Sequence, residues 1–207
     1  MSQTIDIKES LAAGWRMTKS RYPLILAYAG TFLAIGAVRF FLDKAIDTVA
    51  VKVFIGLAFQ VLNWYMTFNA LGISIKIVDD KEASYADLWT PQGPFWFYVL
   101  ATILYGLITA GGVLLLVVPG VIWGLMFMFY GYTQIEHKLG PIQALKASKA
   151  LTAGAKGGLF LFSLVSIGIN LLGLLVVGLG LFVTLPITYF AIAHVYRQRT
   201  KAVSASA

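Results

Sequence analysis

The chain has no cysteine in its 207 residues. Disulfides, thiolate nucleophiles and cysteine-based metal sites are therefore excluded, while the redox state of its compartment stays open. Histidine occurs only twice, at His137 and His194. Charge is missing where its absence is most informative. No Asp, Glu, Lys or Arg lies between Asp87 and Glu136, a run of 48 residues, or between Lys156 and Arg197, a run of 40. One helix needs roughly 20 residues to cross a bilayer core, so each run is long enough for two spans folded back on one another. Hydrocarbon offers no water to an unpaired amide, so such spans must be helical. With 59% hydrophobic and 12% charged residues and a mean hydropathy of +0.81, the chain lies outside the range of soluble domains, which carry about 25% charge.

Two further apolar stretches, Tyr22 to Val38 and Val53 to Ile75, precede the doubled runs and are bounded by Arg21, Arg39, Lys52 and Lys76. The expected fold is therefore all-α and polytopic, with six transmembrane helices arranged as three hairpins in a single membrane domain spanning 1–207. Gly111-Gly112 and Pro119-Gly120 punctuate the first run and place a third span at 95–115 and a fourth at 119–135. The break in the second run falls near Gly178 to Gly180. Pro119 suits the first turn of a helix, where its missing N–H has no partner to lose. Pro186 lies well inside the sixth span and is expected to kink it. Some 22 mostly polar residues precede the first apolar stretch, too many for the n-region of a cleavable signal peptide.

The formal charge of +7 suggests nucleic acid only if the distribution of charge is ignored. Of the 16 Lys and Arg residues, only Arg39, Lys44 and Lys52 fall on one side of the expected spans, and the other 13 fall on the side of both termini. Basic residues accumulate on the cytoplasmic face, so both termini are expected there, in a cell membrane. On the same side, a polar segment of helical character precedes each hairpin as a short interfacial elbow. In the first, Ile7, Leu11, Trp15 and Thr18 share one helix face, with Glu9, Arg16 and Ser20 on the other. The second is Ser84 to Trp89 and the third Ile142 to Thr152. Three repeats, about 6–78, 83–136 and 139–197, follow from this layout. Leu115-Leu-Val-Val118 and Leu174-Leu-Val-Val177, each ahead of a glycine-containing turn, support it.

Val117-Val-Pro-Gly-Val-Ile-Trp123, Gly140-Pro-Ile-Gln-Ala-Leu-Lys-Ala-Ser-Lys149 with Thr152-Ala-Gly154, and Leu185-Pro-Ile-Thr-Tyr189 with His194-Val-Tyr196 resemble the YciC-like family of bacterial integral membrane proteins of unknown function. The pattern is also similar to the membrane domain fused to some glycerophosphodiester phosphodiesterases. The resemblance implies a six-span protein of the bacterial inner membrane with cytoplasmic elbow helices. It supplies no catalytic residues to carry over, and the phosphodiesterase domain is not in this chain.

Polar side chains within spans are costly in hydrocarbon and tend to face the bundle interior. Gln60, Asn63, Thr67 and Ser74 form one stripe of the second span, with Gly56 on the same side. Ser163, Ser166 and Asn170 repeat the pattern in the fifth span, Tyr105 and Thr109 in the third, and Thr184 and Thr188 in the sixth. Such stripes either line a polar cavity or act as interhelical hydrogen-bonding glue. Gly120 and Gly124 form a GxxxG read as intramolecular packing, with homodimerisation as the alternative. Trp15, Trp89, Trp96, Tyr130, Tyr132 and Tyr196 fall near span ends as interface anchors.

No constellation of catalytic or metal-binding type is recognisable. Glu136 and His137 are helix neighbours that point apart, and Ser10 and Ser148 have no His and Asp at motif spacing. No metal or cofactor is expected, and the reading is non-enzymatic. The expected role is lipid- or envelope-associated, with membrane lipids as partners and Lys146, Lys149 and Lys156 as the headgroup-binding cations. A homo-oligomer or other membrane proteins stay open as partners, and nucleic acid is not expected. The alternative is a transporter or channel for small solutes or lipids built on the polar stripes.

Overall fold

The computed structural model describes residues 5–176 and 180–205. All regular elements among these residues are helical: α1 (Ile7–Ser20), α2 (Tyr22–Ala45), α3 (Val49–Val78), a 3-10 turn (Tyr85–Leu88), α4 (Phe95–Leu115), α5 (Val117–Phe127), α6 (Tyr130–His137), α7 (Pro141–Thr152), α8 (Lys156–Leu175) and α9 (Leu181–Ser204). Four of them, α2, α3, α4 and α8, are long and apolar enough to cross a membrane. They cover the first, second, third and fifth expected spans. At 30 residues, α3 is about 45 Å long and outruns a hydrocarbon core of about 30 Å.

The fourth expected span is interrupted. α5 stops after 11 residues and α6 begins only after Met128 and Phe129, so neither piece alone spans a bilayer. The sixth expected span lies within α9, which is uncharged from Leu181 to Tyr196 and then continues through Arg197, Arg199 and Lys201. Pro186 sits inside this helix. Within the expected break, Gly178 and Leu179 lie outside the described residues, as does the Val177 that ends the repeated Leu-Leu-Val-Val.

Packing is concentrated where the short helices meet the ends of the long ones. One core cluster joins Ile75, Phe129, Tyr132, Leu159, Phe162 and Tyr196, and a second joins Ile25, Met66, Ile73, Ile77, Leu88 and Phe190. Tyr132 and Tyr196 stack with ring centroids 5.0 Å apart and are buried in the first cluster. They are core residues, unlike the interface anchors expected from their positions, because α6 is enclosed by α3, α4 and α7. Trp15, Trp89 and Trp96 are exposed.

α1 docks on the rest of the chain through its small residues. Ser10, Ala13, Gly14 and Thr18 are its buried residues, while Trp15 is 50% exposed and Ile7 and Leu11 are half-buried. The reason is its partner: α1 lies along α9 so closely that a Cβ on Gly14 would fall 2.3 Å from the Ile187 carbonyl oxygen. Only small side chains permit that approach. Asp6 caps the helix, its Oδ1 accepting from the Glu9 amide at 2.8 Å.

α4 and α5 form the other close pair. A Cβ on Gly120 would meet Val113 of α4 at 2.3 Å, and one on Gly112 would meet Trp123 and Gly120. Gly120 of the GxxxG thus faces α4 of the same chain, and Gly124 lies near Tyr105 and Thr109. Pro119 occupies the third position of α5, within its first turn.

Candidate functional site

The interruption between α5 and α6 carries no proline or glycine, so local sequence does not cause it. Its backbone groups are met by side chains from α7. The Phe129 amide donates to Ser148 Oγ at 3.0 Å, and the Met126 carbonyl accepts from Ser148 Oγ and Thr152 Oγ1, each at 3.1 Å. A broken helix in an apolar setting is tolerated when neighbouring hydroxyls satisfy the freed groups in this way. Thr133 Oγ1 in turn donates to the Ala144 carbonyl, tying α6 to α7. Ala144, Leu145, Ser148 and Thr152 form the buried face of α7.

The opposite face of α7 carries Lys146 and Lys149, both exposed, and Lys156 is exposed at the start of α8. Among the described residues none of these three forms an ion pair with a carboxylate. The short helix therefore joins two features: an inner face that completes the broken span and an outer face of unneutralised cations.

The other basic residues around α7 are structural. Arg199 donates from Nε to the Leu151 carbonyl at 2.9 Å and from Nη2 to the Ala153 carbonyl at 3.0 Å, placing a cation at the C-terminus of α7 where its dipole is negative. Arg197 grips Asp79 at the end of α3 bidentately, Nε to Oδ1 at 2.7 Å and Nη2 to Oδ2 at 2.6 Å, and also bonds Glu136 of α6. The Tyr196 hydroxyl donates to the second oxygen of Glu136. Burial alone would raise the Glu136 pKa, but the bonds from Tyr196 and Arg197 outweigh it and hold the carboxyl below its ordinary value. Asp87 behaves alike: partial burial opposes ionisation, yet the Lys76 ammonium at 2.7 Å and the Ser84 amide at 2.9 Å keep its pKa lowered.

Of the polar residues expected in the bundle interior, Gln60 and Asn63 are exposed and Thr67 is half-buried. Ser74 is buried and donates to the Leu71 carbonyl of its own helix. The residue that does bury its amide on α3 is Asn69, which the stripe bypasses. Its Nδ2 donates to the Leu88 carbonyl at 2.9 Å and its Oδ1 accepts from the Gln92 amide at 3.2 Å, clamping the 3-10 turn. On α8, Ser163 is half-buried, Ser166 is buried, and Asn170 Nδ2 donates to Thr188 Oγ1 of α9 at 3.2 Å. The fifth and sixth stripes thus meet each other, while α3 and α8 scarcely touch. The Ser166 hydroxyl, Asn170 Oδ1 and the Thr184 hydroxyl are buried without a hydrogen-bond partner among the described residues.

The histidines are separate in role. His137 is exposed, whereas His194 is half-buried with Nδ1 3.4 Å from Ser10 Oγ. This Ser and His pair, 184 residues apart in sequence, is not legible from spacing. Ser10 is fully buried and its hydroxyl donates to the Asp6 carbonyl at 2.7 Å, so it is not presented as a nucleophile. Among the described residues no group of three or more His, Asp or Glu is placed to hold a metal ion.

No family model matches the chain, and no solved structure matches it. It is similar to an uncharacterised protein of Mycobacterium bovis, 29% identical over 150 residues, which cover 72% of this chain and 45% of that protein. An uncharacterised protein of Mycobacterium tuberculosis strain H37Rv is 28% identical over 150 residues with the same coverage. The chain thus spans less than half the length of the relatives it matches.

Proposed function

We propose that this is a six-span protein of the bacterial inner membrane, both termini cytoplasmic, with a non-enzymatic, lipid-associated role. In this reading α7 is the working element. Its outer face, Lys146 and Lys149 together with Lys156, binds the phosphate of anionic headgroups, and its inner face holds the broken fourth span in register through Ser148 and Thr152. The observation that carries the proposal is the coincidence of unpaired cations and span-completing hydroxyls on one 12-residue helix. Each cation near a membrane surface contributes on the order of 1 kcal/mol toward anionic lipid. The transport alternative draws on the stripes of α8 and α9, which meet at Asn170 and Thr188, while Gln60 and Asn63 of α3 are exposed.

The test uses protein reconstituted in phosphatidylcholine vesicles doped with a fluorescent phosphatidylglycerol, reading energy transfer from the native tryptophans. Wild type should enrich the anionic lipid about its surface, and the combined Lys146→Gln, Lys149→Gln and Lys156→Gln variant should lose most of that enrichment. Equal enrichment in the two proteins removes these lysines from the site. Because the chain is free of cysteine, single Asp47→Cys and Lys149→Cys variants report topology cleanly: an impermeant maleimide should reach them from opposite sides of the membrane.

A further inference from the structure

A cavity of about 500 Å³ lies between α2, α3 and α9. Its wall is almost wholly apolar, formed by Ala29, Phe32 and Leu33 of α2, Ala70 of α3, and Leu185 and Pro186 of α9. Two features distinguish it from an ordinary gap between helices. First, its width is held from one end. Tyr28 Oη donates to the Ser84 carbonyl at 2.7 Å, and Thr31 Oγ1 and Tyr85 Oη lie 2.8 Å apart, so α2 is pinned through the 3-10 turn as well as by Ile25 against Phe190 of α9. Only Ile25 of the 24 residues of α2 is buried. The space is therefore preformed, which lowers the cost of filling it.

Second, one end of the cleft is basic. Met17 of α1 packs on the cluster of Ile25 and Phe190, and Lys19 and Arg21 follow directly at the junction of α1 with α2. The Ile25 amide donates to the Arg21 carbonyl at 3.1 Å, which puts Arg21 one helical turn from the cleft wall. Among the described residues neither Lys19 nor Arg21 forms an ion pair with a carboxylate. An apolar cleft with the unpaired Arg21 one helical turn before its wall, and Lys19 two residues earlier, is complementary to one class of molecule in a membrane, a lipid with an acyl chain and an anionic head.

We propose that the cleft between α2, α3 and α9 holds one anionic phospholipid, an acyl chain lying along Phe32, Ala70 and Pro186 and the phosphate meeting Lys19 and Arg21. This deepens the lipid-associated reading above but is a separate site from the lysines of α7.

The experiment is native mass spectrometry of the full chain released from nanodiscs of equal parts phosphatidylglycerol and phosphatidylcholine. Wild type should retain one phosphatidylglycerol. Filling the slot with Ala29→Phe and Ala70→Phe should lower retention about tenfold. Arg21→Gln and Lys19→Gln, at positions that leave the fold untouched, should keep a lipid but lower the preference for the anionic one about fivefold per cation. The combined Gln variant of Lys146, Lys149 and Lys156 should retain the lipid as wild type does, even if the headgroup enrichment proposed for α7 is lost or was never present. Retention unchanged by both the cleft-filling pair and the Lys19 and Arg21 pair overturns the proposal. So does loss of the lipid in the α7 variant alone, or a second copy of the chain found in its place.

Discussion

Arg197 and Phe41 stand in two differently built regions of this molecule. Around Arg197, α3, α6 and α9 converge within hydrogen-bond distance, Arg199 seals the end of α7, and aromatic rings fill the space between. Around Phe41, 69% exposed, the outer halves of α2 and α3 carry Val38, Phe40, Val53, Phe54 and Leu57 with no cover from the rest of the chain. The first region is held by directional bonds between side chains that only the folded state brings together. The second is held by helix propensity and by whatever solvates its apolar surface, which in hydrocarbon costs nothing because lipid tails are as apolar as leucine. Side-chain bonds between helices therefore hold the region around Arg197, and apolar surface open to lipid marks the region around Phe41.

The contrast can be broken most severely at Gly14. A Gly14→Val side chain would collide with backbone, not with a movable side chain, and should lower stability by about 3 kcal/mol, seen as a fall in melting temperature and detachment of α1 from α9. Next is Arg197→Gln, which strands Asp79 and Glu136 in partly buried positions and should cost about 2 kcal/mol in the same assay. Acid attacks the same end more gently. Asp87 and Glu136 are held below their ordinary pKa values, so their contribution is complete above the unfolded carboxylate range near pH ~4 and is lost as pH falls through the lowered folded-state values. The share of the melting temperature owed to these two carboxylates should be complete down to about pH 5 and decline below it. The contrast is sharpest in Phe41→Ala, expected to change stability by no more than about 0.5 kcal/mol despite removing a whole aromatic ring.

What can be read from the sequence follows the same division. The span 95–115 matches α4, which Pro94 precedes, whereas 22–38 and 53–75 lie within α2 and α3, which run on through the charges Arg39, Lys52 and Lys76 that bound the apolar stretches. The gap after Phe127 has no such mark. Its cause is Ser148 and Thr152, some 20 residues further on, and hydrogen bonds at that separation leave no trace in periodicity. The docking face of α1 is not legible for a related reason: its large apolar residues define a stripe, yet docking on α9 is decided by the small ones, Gly14 and Ala13. Asn69 escapes the stripe because its partners are the backbone of Leu88 and Gln92, and a pattern of side chains alone gives no hint of them. Lys146, Lys149 and Lys156 are legible as exposed cations, but the link from their helix to the broken span is not.

The contact of Gly14 with Ile187 also bears on when the protein becomes itself. The two residues lie 173 positions apart in sequence, so α1 must wait for α9 to be made before it can find its groove, and contacts of such long range form late. Until then the groove on α9 and the small face of α1 are each without a partner. A chain stopped anywhere before α9 would have membrane helices in place and yet lack the clasp that α9 closes on α1.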